Sequence, residues 1–143
     1  MTTKLHHWLL AAALLIAPLA TLAEDVKSPL PPNAGVARAA FTTQVVSGEP
    51  ADQVVVLTNN IREIQYFTDI RGMDGRTVTH QWEHEGRVIS RISFDVEGAR
   101  AKLHSKRDLD PALTGKWTVL VVDEKTGWPL HASTFRYDPV ATP

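Results

Sequence analysis

The chain of 143 residues contains no cysteine, which excludes disulfides, thiolate metal centres, thiol nucleophiles and a lipid-modified N-terminal cysteine. It has no surplus of basic charge either: 15 Lys and Arg stand against 16 Asp and Glu, for a formal net charge of −1. Nucleic-acid binding normally shows a strong basic excess, so that class is set aside. No Gly-x-Ser-x-Gly elbow occurs, and the adjacent pair His104-Ser105 would face opposite ways in a strand. The longest apolar run, Trp8 to Ala23, has 16 residues where a bilayer-spanning helix takes about 20. No internal repeat is present.

What is present begins with an export signal of bacterial type. Positive charge at Met1 and Lys4 precedes the apolar run, and Thr21-Leu22-Ala23 offers small residues where signal peptidase needs them. The expectation is a signal peptide over 1–23, cut after Ala23, and a periplasmic or secreted mature protein with no membrane span after cleavage. Lys4 is the only charged side chain lost with it, so the net charge moves from −1 to −2. Residues 24–34 hold Pro29, Pro31 and Pro32 and little that is apolar, an extended leader. A single domain over 35–138 and a short tail over 139–143 complete the organisation.

Within the domain, short β-type runs alternate with turn signals. Val36 to Val46 closes at Ser47-Gly48-Glu49-Pro50, Val54 to Thr58 at Asn59-Asn60, and Ile64 to Ile70 at Gly72-Met73-Asp74-Gly75. Thr77 to His84 and Arg87 to Val96 join across Glu85-Gly86 as a tight hairpin. A run from Gly98 to Lys106, a loop with one conceivable helical turn at Pro111 to Leu113, and a hairpin of Lys116 to Asp123 with Leu130 to Tyr137 follow. Seven to eight strands predict an all-β, immunoglobulin-like antiparallel sandwich, with an eight-stranded barrel as the alternative.

Alternation of period two assigns faces. Val78, His80, Trp82 and His84 share one side of their strand, with Trp82 expected in the core. In the next strand Val88, Ile92, Phe94 and Val96 are expected inside, and Arg87, Arg91, Ser93 and Asp95 outside. Trp117 alternates with Val119 and Val121 and reads as core.

The string His80-Gln81-Trp82-Glu83-His84 satisfies the His-x-x-Glu-His order of inverted zinc proteases. That chemistry needs a helix, where residues four apart stack one turn above each other. The β-branched Thr77-Val78-Thr79 and the bounding Gly75 and Gly86 make the segment a strand, in which two such histidines stand roughly 13 Å apart. A looser metal site from His80 or His84 with His104 and His131 is the alternative reading, that of a metal-binding or hydrolytic envelope protein. Nothing in the spacing selects a metal, and no cofactor is implied. Asp108-Leu109-Asp110 lacks the glycine and third carboxylate of a calcium loop.

Two surface features point to binding instead. Arg100, Lys102, His104 and Lys106 share one strand face, and Arg87 and Arg91 are expected to share another; if adjacent, they form a basic patch for an anionic partner such as lipid headgroups, wall polymer or an acidic protein. Trp128, in the turn Gly127-Trp128-Pro129, would stack on a sugar ring, a third reading, or fold back over one end of the sandwich.

The series Gly35-Val36-Ala37-Arg38-Ala39, Glu49-Pro50, Tyr66-Phe67-Thr68-Asp69-Ile70-Arg71-Gly72, His80-Gln81-Trp82, Gly86, Ser105-Lys106, Leu109 and Gly115-Lys116-Trp117-Thr118-Val119 resembles the bacterial family DUF2914. The resemblance covers nearly all of the mature domain. It departs at Arg100-Ala101-Lys102, where the family pattern carries an Arg-Trp-Arg run, so an aromatic role on that strand is missing here. The family has no established activity; the resemblance implies an exported bacterial setting and supplies no catalytic residues. The expectation is a non-catalytic module, not an enzyme, that binds an envelope protein or an anionic envelope polymer.

If Trp82 is core, Trp82→Ala should cost roughly 3 to 5 kcal/mol of unfolding free energy in a urea titration; an unchanged midpoint would put the ring at the surface.

Overall fold

A computed structural model describes residues 25–143 of the chain. The expected signal peptide over 1–23 and its cleavage point lie outside the described residues. Ten strands follow in order: β1 (Gly35–Thr42), β2 (Val45–Val46), β3 (Glu49–Pro50), β4 (Val56–Thr58), β5 (Glu63–Arg71), β6 (Thr77–His84), β7 (Arg87–Asp95), β8 (Arg100–Asp108), β9 (Gly115–Asp123) and β10 (Pro129–Asp138). No helix forms among the described residues; the turn at Pro111 closes with the Leu113 N–H on the Asp110 carbonyl at 2.9 Å.

The strands build a three-stranded sheet, β1-β5-β8, facing a five-stranded sheet, β4-β10-β9-β6-β7, with β2 and β3 as a separate small ribbon. This is the expected all-β, immunoglobulin-like sandwich. Pairing is antiparallel except where the short β4 runs parallel to β10, a departure from the all-antiparallel expectation. The first expected run breaks at Thr43-Gln44, where Thr42 and Thr43 bond the Asp52 carboxylate, and Ser47 and Gly48, with positive φ of 51° and 76°, then fold β2 back onto β3. Glu85 and Gly86, at 47° and 78°, make the second tight turn where the sequence placed it.

The core fills from both sheets. Phe41, Ile64, Tyr66 and Ile70 come from the small sheet, while Val78, Trp82, Trp117, Val119, Val121, Phe135 and Tyr137 come from the large one. Trp82 is fully buried, its ring edge-on to Phe41 at 5.8 Å between centroids. Trp117 stacks on Phe135 at 6.3 Å.

One face assignment fails. A β-bulge lies where Trp82 pairs with Ser90 but Glu83 pairs with Val88, leaving Ile89 as the extra residue. An inserted residue reverses the facing of everything beyond it. Val88, expected inside, is therefore 44% exposed, and Arg87 comes to lie opposite His84 on the inner side. Ile92 and Phe94, on the near side of the bulge, remain turned toward the core as expected.

Gly72 fixes how the leader meets the domain. Its φ is +68°, and a Cβ placed there would lie 2.8 Å from the Asn33 carbonyl oxygen and 2.9 Å from two backbone atoms of Ala34. Gly75, at φ +75°, has open space around its missing Cβ. Both substitutions with alanine force a left-handed residue, worth roughly 1 to 2 kcal/mol. Gly72→Ala should lower the urea midpoint clearly more than Gly75→Ala, and equal losses would show that the leader does not press on this turn.

Candidate functional site

The outer face of the three-stranded sheet carries a cluster of linked ion pairs. Alternation along β5 sends Tyr66, Thr68 and Ile70 into the core and Phe67, Asp69 and Arg71 outward. Outward does not mean exposed here, because Phe67 is 1% exposed beneath the Arg38 guanidinium, 5.2 Å from its centroid. The Asp69 side chain is 1% exposed, and three guanidiniums converge on it.

Arg100 holds both Asp69 oxygens, Nε to Oδ1 at 3.1 Å and Nη2 to Oδ2 at 2.8 Å. Arg71 makes a looser pair at 3.3 and 3.4 Å, and the Arg38 Nε lies 3.5 Å away. Arg38 also grips Glu49 with two hydrogen bonds, 2.9 and 3.1 Å, and Lys102 pairs with the same glutamate. The β2–β3 turn is what brings Glu49 over the sheet. Burial pushes the Asp69 carboxyl up, but hydrogen bonds and charge from Arg100 and Arg71 outweigh it and hold the group below the ordinary aspartate range. Hydrogen bonds from Arg38 and then Lys102 take Glu49 down to about 2.

Four cations thus share two anions. The guanidinium side chains stay about half exposed, at 48%, 46% and 48% for Arg38, Arg71 and Arg100, so solvent still reaches each. A bidentate grip on a fixed carboxylate pre-orients a planar fork, which is the arrangement that suits phosphate or carboxylate recognition. Beside Arg38 a groove of about 420 Å³ opens, lined by Ala40, Pro50, Gln53, Phe67 and His131 among others.

Of the basic residues read from the sequence, Arg100, Lys102 and Lys106 do share this face. Lys106 pairs with Glu63 at 2.6 Å, so the stripe is partly neutralised. Arg87 and Arg91 do not join it: they belong to the other sheet, and the bulge puts them on opposite faces, against His84 and Gln81. The expected single basic patch is corrected accordingly. Arg38, Glu49, Asp69 and Arg71 stood in the sequence only within the series that resembles the family, with no site role assigned to them. The alternation Phe67-Asp69-Arg71 would have grouped two of them, but only the sheet register sets Arg100 and Lys102 alongside.

His80, His84, His104 and His131 are not brought together into one site. Strand β6 sends His80 into the core, where its Nε2 meets Thr68 Oγ1 at 3.0 Å and its Nδ1 meets Ser105 Oγ at 2.8 Å; Trp82 Nε1–H donates to the same serine at 3.1 Å. His84 Nε2 bonds the Thr114 carbonyl at 2.7 Å, His104 points outward from β8, and His131 lines the groove. No three His, Asp or Glu side chains are grouped for a metal ion among the described residues. Trp128 is partly buried, with its carbonyl accepting the Asp123 N–H at 2.9 Å.

Residues 75–137 match the family described as a protein of unknown function, DUF2914, which supports the resemblance drawn from the sequence. No curated protein matches the chain. Among solved structures, the CARDB domain of a Pyrococcus furiosus protein in complex with di-metal ions is similar at 12% identity and a TM-score of 0.42, covering 82% of this chain and 97% of that one.

Burial, and then the charge of nearby His104, pull His80 from 6.5 down to about 3. The unfolded chain therefore binds a proton near pH 6.5 that the folded chain refuses until about pH 3. Its stabilising contribution is whole above pH 6.5 and shrinks as pH falls through that window. From pH 7.5 to 5.0 the unfolding free energy should drop by about 2 kcal/mol, at roughly 1.4 kcal/mol per pH unit. His80→Gln should flatten that slope, and a slope unchanged by the substitution would place the proton elsewhere.

Proposed function

We propose that this chain acts outside the cytoplasm as a non-catalytic recognition module, holding an anionic envelope component on the outer face of the three-stranded sheet. The observation that carries the reading is the convergence of Arg38, Arg71 and Arg100 on one buried carboxylate while each guanidinium remains about half exposed. A lone surface arginine must be ordered when it binds, and holding a long side chain in one geometry costs about 0.5 to 1.5 kcal/mol. Here Asp69 has already ordered three. The face also keeps a net positive balance in a protein whose overall charge is negative, so an anion is steered toward it rather than toward the rest of the surface.

The extracytoplasmic setting rests on the signal-like segment over 1–23. The groove next to Arg38 gives a bound anion room for the body to which it is attached.

Linear polyphosphate serves as the probe polymer, titrated calorimetrically into the mature protein at low and high salt. Binding should weaken as salt rises, and Arg71→Gln with Arg100→Gln together should weaken it at least tenfold at low salt, since each lost charged hydrogen bond is worth about 1.5 to 3 kcal/mol. Trp128→Ala should leave it unchanged. A folded double variant that binds as tightly as the parent, or loss of binding in Trp128→Ala alone, would contradict this face as the site.

A further inference from the structure

A second population of cations has no carboxylate partner among the described residues. Among the described residues Arg87, Arg91 and Arg107 take part in no ion pair, as is also true of Lys27, Arg62, Lys116 and Lys125, whereas Arg38, Arg71, Arg76, Arg100, Lys102, Lys106 and Arg136 all do. Arg87 and Arg91 stand on β7, which ends the large sheet, and Arg107 on β8, which ends the small one; Arg87 and Arg107 are on the inner side of their strands and Arg91 is on the outer face.

Arg107 is the unusual member. It pairs in register with the buried Ile64, so it projects from β8 toward the space between the sheets rather than into solvent. Its Nη1 donates to Ser90 Oγ on β7 at 3.0 Å, and its guanidinium lies 5.8 Å from the Trp117 ring. Its Nε is buried and has no hydrogen-bond partner, alone in this among the side-chain atoms of the described residues. An inward guanidinium is normally matched by a carboxylate. This one has a serine hydroxyl and an aromatic face.

The strand it touches has a free edge. β7 is nine residues long and pairs only with β6, so alternate N–H and C=O groups along its other side have no strand partner. By contrast β4 has three residues, and the Val54 N–H already occupies the Phe41 carbonyl on β1 at 2.8 Å. On β8 the outward cations Arg100, Lys102 and Lys106 are engaged with Asp69, Glu49 and Glu63. The aliphatic side chains at the β7 bulge, Val88 and Ile89, are 44% and 37% exposed, apolar surface beside the free edge.

We propose that the β7 edge is a docking site for an extended acidic segment of another protein, which adds as a sixth strand to the large sheet and delivers an Asp or Glu carboxylate to Arg107. Strand addition supplies main-chain hydrogen bonds without sequence preference. Selectivity comes from the inward side chains of the added strand, which enter the space beside Ser90 and meet the uncommitted guanidinium there. Arg87, exposed and in no ion pair, and Arg91, exposed and donating to the Gln81 amide oxygen at 2.8 Å, favour further acidic residues on the same segment.

Two capped heptapeptides test this: Thr-Val-Thr-Glu-Thr-Val-Thr and its counterpart with Gln at the centre, each added to the mature protein while amide hydrogen exchange is followed. The Glu peptide should slow exchange along β7 and bind about tenfold more tightly than the Gln peptide, the ratio that one charge-assisted contact of about 1.4 kcal/mol gives. Arg107→Lys, which keeps charge but loses the planar fork, should reduce that preference. The double variant at Arg71 and Arg100 should preserve it, separating this site from the anionic face. Equal binding of the two peptides, protection on β8 or β1 in place of β7, no protection with either peptide, or protection of β7 that rises with protein concentration alone would each overturn the proposal, the last in favour of a second copy of the chain.

Discussion

A carboxylate on the outward side of a sheet ordinarily stands in water; Asp69 does not, because its strand is central in the small sheet and both of its faces are covered. An ionised carboxylate with so little access to solvent must be compensated by cations or lose its charge. Register supplies the cations: Arg38 and Lys102 lie directly opposite Asp69 on the two flanking strands, and Arg71 and Arg100 lie two positions along. From that one demand follow the ordering of three guanidiniums, the capture of Glu49 through Arg38, and the folding of the β2–β3 ribbon over the sheet. The ribbon in turn covers Phe67 and forms one wall of the adjacent groove.

The two sheets are held by more than apolar contact. Across the core, His80 and Trp82 of the large sheet share Ser105 of the small one, while the other nitrogen of His80 takes Thr68. A neutral imidazole has one donor and one acceptor, and two hydroxyls satisfy both whichever nitrogen carries the proton. Tyr66 and Ser133 make a second such tie at 2.8 Å, with burial raising the phenol to about 12. These contacts fix the register of one sheet over the other, and so fix where the margins of the sandwich fall. They also explain why the His-x-x-Glu-His string has a structural use: extended, it sends its first histidine into the core and its second to a loop carbonyl.

Much of this was legible from the residues. Alternation placed Trp82, His80, Trp117, Val119 and Val121 inside, because in β6 and β9 no extra residue disturbs the period of two. The Glu85-Gly86 turn was legible because positive φ has a residue signature. The bulge at Ile89 was not, since a single inserted residue leaves no compositional mark, and it misplaced Val88 and Arg87. Asp69 was missed for a different reason: alternation tells which way a side chain points but not what another strand lays against it. The distinction between cations engaged by carboxylates and cations left free, on which both functional readings turn, depends wholly on register between strands distant in sequence.

The claim that Asp69 assembles the guanidiniums is tested most directly by the ionisation of that one side chain, followed through its carboxyl carbon resonance in an acid titration of the folded protein. The account predicts a midpoint clearly below the value near 3.9 of a free aspartate. A midpoint at or above that value would mean that burial outweighs the arginines, and that the face they form is not held together by this carboxylate.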